Sequence, residues 1–387
     1  CISLEQIKSL TNSKSNKDYW TRIRGLKNGP GVNEKANTSS NEVQSIVNSL
    51  MTRATRTYLL PKFNHKLNKY SRRKVLEVNF NNGTMFPLYF GAMVNKVTAI
   101  DVNEKNIMNS NSKINQLISE TKNLSSPLFA FENKTKRTKP PIINTAMSDI
   151  SIPLKFSEQK KVFNLATNDV DKYFNKTHSY NVVMCNFTLG QVLKDSKTLD
   201  NFMLNLNCQL AENGHLITID FDGNALCDLF QKRGSTTEIK HKNKSLLRLQ
   251  SKSKVFDTEH KNITTGMAYT VENNLMEQTM EYSSNVINYT WFDKIIEKKS
   301  SMICVETNLL SNIFPSFKSE YGILRRMNMD LHDSFKIGDI LSFLNKKDGE
   351  EVGEIDDVLK DVLGLIRYSV YQKVTNKTEV NDEIIVL

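Results

Sequence analysis

The chain has 387 residues, 39% of them hydrophobic, which is enough for one large domain or two smaller ones with a sizeable core. No run approaches the ~20 consecutive apolar residues that a membrane-spanning helix needs. The five cysteines are odd in number and form no CxxC pair, which argues against a disulfide framework and a Cys-rich zinc site. The net charge of +10 favours an anionic partner such as nucleic acid, with solvated surface lysines as the alternative.

The N-terminus lacks the basic and then apolar pattern of a secretion signal. Together with the cysteine usage, this predicts a reducing compartment, the cytoplasm, with association with a virion as a second option. The chain begins with Cys instead of Met, so we expect a fragment or a processed chain. We expect an N-terminal arm at 1–40 and one domain at 41–387, with insertions near 121–142, 231–262 and 316–360.

The first half of the chain alternates helical and strand patterns. Val43, Ile46, Val47 and Leu50 have helical spacing and predict a helix over 41–60. The stretches "RRKVLEVNF" and "KVTAIDVN" predict two strands, 103–120 a helix, and "IINTAMSDIS" a third strand.

The second half continues the alternation. "YNVVMCNF" predicts a fourth strand, "SKTLDNFMLNLNCQLAENG" an amphipathic helix that stops at Asn213-Gly214, and "HLITIDFDGN" a fifth strand. "GMAYTVEN" and "TMEYSSNVI" predict paired strands, and "IRYSVYQKV" a closing strand. The order predicts an α/β fold with a mostly parallel sheet, an antiparallel edge strand and helices on both faces.

Polar residues stand where four of these strands end. Glu77, Asn79 and Gly83 follow the first strand, Asp101 the second, Asp149 the third and Asn186 the fourth. Ligands of doubly wound sheets bind beyond these strand ends, and an acid about 20 residues past a glycine turn suits a ribose. This order of residues resembles the arrangement in S-adenosylmethionine-dependent methyltransferases.

A closer resemblance follows from "THSYNVVMCNFTLGQVL", "HLITIDFDGNAL", "TMEYSSNVI" and "IRYSVYQKV". In this order and spacing they resemble the mRNA cap guanine-N7 methyltransferases over about residues 41–375. The segment "KVLEVNFNNGTMFPLYF" is similar to the poxvirus-like and cytoplasmic linear plasmid capping-enzyme branch. The resemblance implies a Rossmann-like class I methyltransferase fold with a seven-stranded sheet and S-adenosylmethionine as cofactor, without a metal.

The resemblance also implies roles for particular residues, each of which has a structural alternative such as a capped turn or a core position. The residues implied for donor binding are Gln44, Asn79, Asn81, Gly83, Asp101, Asp149, Asn186 and Phe187. The residues implied for cap binding are Asn41, Gln191, Glu281 and Tyr368. Asn79 and Asn81 replace the glycines usual in the donor turn, and the turn survives only if they accept positive φ.

The implied reaction needs no catalytic acid, base or nucleophile. Guanine N7 carries a lone pair and no proton, so a methyltransferase of this kind works by aligning its reactants. The implied partners are capped RNA and either further capping-enzyme domains or a stimulatory subunit, with no membrane. The basic segments "KTKRTK" and "KHKNK" could steer RNA or be solvated loops.

Two hypotheses follow. The first is an active mRNA cap guanine-N7 methyltransferase, which the retained Asp101, Asn186 and Glu281 favour. The second is a catalytically degraded methyltransferase fold that serves as an RNA-binding or scaffolding module. Three departures from the family pattern favour this second hypothesis. The donor turn has fewer glycines than usual, Met85 replaces an acid, and Gly190-Gln191 replaces the family's His-Tyr pair. Methylation of another RNA or of a small molecule is a third option.

Overall fold

The computed structural model describes most of the region from Ser40 to Val374. The described residues are 40–60, 62–64, 69–83, 85–92, 94–122, 141–163, 174, 177–241, 243–252, 264–275, 280–314 and 354–374. Among them, no helix is both long and apolar enough to cross a membrane. The predicted arm at 1–40 and much of the predicted insertions lie outside the described residues, so the domain limits stay a prediction.

The strands fall into a large sheet, a smaller sheet and a short hairpin. In chain order they are β1 (Lys62–Asn64), β2 (Lys69–Ser71), β3 (Lys74–Val78), β4 (Lys96–Asp101), β5 (Ile142–Met147), β6 (Tyr180–Asn186), β7 (Leu210–Phe221), β8 (Thr236–His241), β9 (Lys244–Ser251), β10 (Thr264–Asn273), β11 (Met280–Ile287), β12 (Met302–Leu309) and β13 (Ile366–Lys373).

Helices connect most of these strands. In chain order they are α1 (Ser40–Leu59), α2 (Phe86–Gly91), α3 (Glu104–Lys122), α4 (Phe156–Phe163), α5 (Leu189–Val192), α6 (Ser196–Gln209), α7 (Gly223–Arg233), α8 (Tyr289–Ser300) and α9 (Glu354–Gly364).

The large sheet has seven strands in the order β12-β13-β7-β6-β3-β4-β5. The pairs β5-β4, β4-β3, β3-β6 and β6-β7 are parallel, and β13 runs antiparallel to both of its neighbours. The order reverses between β3 and β6, the switch point at which doubly wound sheets bind ligands. The predicted fold class is confirmed, with one difference: the antiparallel strand lies one place in from the edge.

Apolar side chains cover both faces of this sheet, which explains why its central strands read as nearly continuous apolar runs. On one face, Val75 and Met184 pack in a core with α1, α2, α9 and the smaller sheet. On the other face, Leu76 and Cys185 pack in a core with α5, α6 and α8. The predicted helix is confirmed as α1, whose four periodic residues are all buried.

Local signals fix where the helices begin. The Asp195 side chain accepts from the Thr198 backbone N–H, and the Thr198 side chain bonds back to the Asp195 N–H, which forms a capping box for α6. The predicted stop of this helix was wrong, because α6 ends at Gln209. Asn213, with φ of 57°, lies in a bend inside β7, where the pairing with β6 shifts.

The predicted pairing of the strands around 264–287 is confirmed by β10 and β11, but these strands form no part of the large sheet. They belong to a four-stranded antiparallel sheet in the order β11-β10-β9-β8, inserted between α7 and α8. This smaller sheet contacts the carboxyl edge of the large sheet through β11. A Cβ on Gly190 would lie 2.1 Å from Ser284 Oγ, and one on Gly223 would lie 2.0 Å from the Ile287 carbonyl oxygen.

This close contact makes a stability prediction. The Gly190→Ala variant should lose about 1–3 kcal/mol of unfolding free energy, because its methyl group would overlap the β11 backbone. Gly364→Ala is the matched control, since a Cβ there meets nothing within 4 Å. Urea denaturation of both variants measures the difference, and equal midpoints would contradict the β11 contact.

Candidate functional site

A narrow cleft opens at the carboxyl edge of the large sheet, at the switch point between β3 and β6. Its volume is about 20 Å³, close to the room that one water molecule needs. Its walls come from α1, the end of β3 and the following turn, the end of β6 and the start of β11. The lining residues are Met51, Glu77, Asn79, Phe80, Asn81, Met85, Asn186, Phe187 and Met280.

The turn after β3 has positive φ at the positions where a donor-binding turn usually has glycine. Asn79, Asn81 and Gly83 all have positive φ, at 51°, 42° and 74°. Asparagine is among the few residues that tolerate this region, so the two substitutions preserve the turn. The Asn79 N–H donates to the Ile100 carbonyl oxygen at 2.8 Å, which joins the turn to β4.

Asp101 lies under this turn and is 2% exposed. Its Oδ2 accepts from the Asn81 backbone N–H at 3.2 Å and from Asn106 Nδ2 at 3.1 Å, and its Oδ1 accepts from the Asn103 backbone N–H at 2.8 Å. Burial raises the pKa of this carboxyl, while these hydrogen bonds oppose the rise. The carboxylate therefore braces the turn, and Asp101 does not itself line the cleft.

Asn186 and Phe187 both line the cleft. Both atoms of the Asn186 amide are buried and have no hydrogen-bond partner. Phe187 has φ of 51° and packs against Phe221 with ring centroids 5.1 Å apart. A buried amide without partners is costly in a closed protein, so Asn186 is suited to receive a polar ligand.

Glu77 is a lining residue to which sequence reasoning assigned no role. It is 1% exposed, and its Oε2 has no hydrogen-bond partner. Burial raises the pKa of its carboxyl to about 8, while the nearby Tyr89 hydroxyl and Lys113 oppose the rise. The available signal was a single charge inside the apolar strand "KVLEV".

Two predicted donor residues, Asp149 and Gln44, lie away from the cleft, and one predicted cap residue, Asn41, cannot be placed at it. The Asp149 Oδ1 accepts from the Ser151 backbone N–H at 2.7 Å and holds the turn after β5. The Gln44 amide donates to the Asn274 carbonyl oxygen, which ties α1 to the smaller sheet. Asn41 begins α1, and its side chain lies outside the described residues.

The remaining cap residues do not line the cleft either. Gln191 Nε2 donates to the Phe187 carbonyl oxygen at 2.5 Å and so supports the cleft wall from behind. Glu281 is exposed and pairs across the strands with Glu272; it alternates with Met280, which packs inward. The Tyr368 hydroxyl donates to Glu306 Oε1 at 2.5 Å.

Packing explains why this chain has Gly190 where the cap methyltransferases have the histidine of their His-Tyr pair. Gly190 lies against Ser284 and Asn285 of β11, and Asn285 Nδ2 donates to the Gly190 carbonyl oxygen at 3.1 Å. A histidine or any other side chain at 190 would collide with this strand. The chain therefore uses the position for a contact between its two sheets.

Comparison with known proteins adds one sequence relative. The chain is 29% identical over 157 residues, 38% of its length, to a "probable mRNA-capping enzyme" of Acanthamoeba polyphaga mimivirus. The match spans only 13% of that relative. No protein-family model matches the chain.

Two solved methyltransferases align with the chain at low sequence identity. An S-adenosylmethionine-dependent methyltransferase from Clostridium acetobutylicum aligns at a TM-score of 0.42 and 9% identity, covering 92% of this chain and 100% of that one. The CcbJ methyltransferase from Streptomyces caelestis aligns at 0.42 and 11% identity, covering 90% and 94%. With its strand order and its reversed β13, this chain has the Rossmann-like methyltransferase fold.

The cleft residues fit S-adenosylmethionine, the cofactor that this fold implies. The donor is cationic and polar, and the cleft presents the unpartnered Glu77 Oε2 and the unpartnered Asn186 amide beside a positive-φ turn. The methionines that line the cleft, Met51, Met85 and Met280, are flexible and can rearrange to widen it. Among the described residues no group of three metal-ligating side chains occurs.

The buried Glu77 predicts how stability depends on pH. Its pKa rises from 4.5 to about 8 on folding, so folding takes up a proton between these values and stability falls as pH increases. The slope approaches about 1.4 kcal/mol per pH unit for this group. Glu77→Gln should remove this loss, so its gain over the wild type should grow from pH 5 to pH 8 in urea denaturation. A gain that stays constant with pH would contradict the assignment.

Proposed function

We propose that this chain is an S-adenosylmethionine-dependent mRNA cap methyltransferase that acts on guanine N7. The observation that carries the proposal is the pair of unpartnered polar groups, Glu77 Oε2 and the Asn186 amide, at the switch point of a methyltransferase fold. The choice of an RNA cap is supported by the match to a probable mRNA-capping enzyme and by the resemblance of 178–230 to the cap methyltransferases.

The described residues act by binding and orientation. When bound, S-adenosylmethionine supplies an electrophilic methyl group on a sulfonium sulfur. A cationic donor would favour ionisation of the Glu77 carboxyl, whose pKa burial raises to about 8, and the Asn186 amide can both donate and accept a hydrogen bond. Phe187 and Phe221 close the wall against water. Guanine N7 offers its lone pair without losing a proton, so positioning is sufficient.

The proposed function also includes partners, namely further capping-enzyme domains or a stimulatory subunit. The mimivirus relative is much longer than the matched segment, which supports action as one part of a larger capping enzyme or beside a stimulatory subunit. A reducing, cytoplasmic setting remains part of the proposal. The described cysteines, Cys185, Cys208, Cys227 and Cys304, are all free thiols.

A second candidate function is an RNA-binding or scaffolding module without methyl transfer. Two observations favour it: the cleft is narrow, and the Asp101 carboxylate is occupied by internal hydrogen bonds. Under this alternative the cleft would not accept a nucleoside. The two functions differ in whether the cleft binds the donor.

Calorimetry with S-adenosylhomocysteine separates these functions. The wild type should bind, and Asn186→Leu should weaken binding at least about tenfold, because it removes both polar atoms at similar volume. Asn207→Leu is the control, since the Asn207 amide donates to the Lys299 carbonyl oxygen away from the cleft. If the wild type does not bind S-adenosylhomocysteine, the methyltransferase function is rejected and the scaffold function remains.

Transfer of labelled methyl from S-adenosylmethionine to GpppN-capped RNA tests the cap itself. We expect incorporation into capped RNA and none into the same RNA without a cap. Donor binding combined with no cap methylation would reject guanine N7 and leave another RNA or a small molecule as the acceptor.

A further inference from the structure

Arg73 is a buried cation without a counter-charge. It precedes β3, at the amino edge of the large sheet, and is 7% exposed. Its Nε and Nη2 are fully buried and have no hydrogen-bond partner, and no ion pair of the described residues involves it. Burial lowers the pKa of its guanidinium. Uncompensated buried charges are rare because they are costly, so this one calls for an anion.

Lys62 and His215 interact electrostatically with Arg73, Lys62 as a charged group and His215 as a neutral imidazole. Burial and then the charge of Arg73 lower the pKa of Lys62, which lies on β1 and is exposed. His215, at the start of the bent part of β7, is 4% exposed, and its Nδ1 has no hydrogen-bond partner. Burial, followed by Arg73 and Lys62, lowers the pKa of His215 to about 4. Tyr58 covers this imidazole with ring centroids 5.1 Å apart.

We propose that Arg73, Lys62 and His215 form a binding site for a phosphate group of an RNA strand. The Arg73 guanidinium offers a planar fork of donors that matches two phosphate oxygens. Lys62 adds a mobile charge at the solvent side, and neutral His215 can donate one ring N–H. The site lies at the amino edge of the sheet, opposite the cleft.

The surrounding sequence supports a polyanion. Residues 43–76 contain no Asp or Glu and eight basic residues, namely Arg53, Arg56, Lys62, Lys66, Lys69, Arg72, Arg73 and Lys74. The formal charge of this stretch, +8, is most of the net charge of +10 of the whole chain. A run of basic residues in the sequence around one buried guanidinium suits a chain of phosphates, since each neutralised phosphate releases counterions.

The geometry of α1 connects this site to the cleft. Met51 lines the cleft, and Tyr58 contacts His215 seven residues further along the same helix. That is about 10 Å at the rise of an α-helix. Arg53 and Arg56 lie on the helix between them. An RNA whose 5′ end enters the cleft can therefore follow α1 to Arg73. The choice of RNA as the anion rests on the proposed function.

Fluorescence anisotropy of a labelled, uncapped single-stranded RNA tests the site without donor or cap. We expect Arg73→Gln to weaken binding about tenfold or more, and Arg73→Lys to weaken it less, because the charge remains but the fork is lost. Lys161→Gln carries the same charge change at a distant pair with Glu158 and should change binding less than twofold. Arg72→Gln, next in sequence, should have a smaller effect than Arg73→Gln.

The outcomes separate this inference from the proposed function. Equal RNA affinities of Arg73→Gln and Lys161→Gln would overturn the site. Stabilisation of the wild type by inorganic pyrophosphate without RNA binding would overturn RNA as the ligand. A chain that fails to methylate capped RNA but binds uncapped RNA through Arg73 would keep the site and reject the methyltransferase.

Thermal melting checks folding, and Arg73→Gln should melt no lower than the wild type, since it removes an unpaired buried charge.

Discussion

The hydrogen bonds to the Asp101 carboxylate are the interaction on which the cleft depends. A single buried group receives the backbone N–H of Asn81 from the turn after β3, and the Asn103 N–H and Asn106 amide from the start of α3. The carboxylate thus fixes two loops at the switch point of the sheet. Because the turn also needs positive φ at residues with side chains, this external support stabilises a backbone shape that glycine would adopt more easily.

The smaller sheet shapes what the cleft can accept. Its strand β11 approaches α5 and α7 so closely that only glycine fits at 190 and 223. The contact places Met280 in the cleft wall. It also occupies the space beside Gly190 and Gln191, the positions at which the cap methyltransferases have a His-Tyr pair. The cleft does not contain that pair, and the polar residues that line it are Glu77, Asn79, Asn81 and Asn186.

The two edges of the large sheet have different electrostatic characters. At the carboxyl edge, Glu77 is a buried acid whose Oε2 has no hydrogen-bond partner, and at the amino edge Arg73 is a buried base whose Nε and Nη2 have none. Each unpaired group lies on the face that α1 covers. A cationic donor at one edge and a phosphate at the other would satisfy both groups, so the two proposals explain two separate departures from the usual pairing of buried charges.

The sequence by itself determined most of the order of strands and helices, because apolar periodicity and breaks record which faces are buried, and it located Asn186 and the turn at 79–83 from their strand ends. It did not predict β8 and β9, which lie in the expected insertion at 231–262. It could not place Glu281 or Tyr368, because strand alternation decides which way each side chain points only after the sheets have paired. The tertiary structure alone revealed that Glu77 and Arg73 lack partners. Whether a buried charge is compensated depends on contacts between elements far apart in the chain, and no local pattern contains that information.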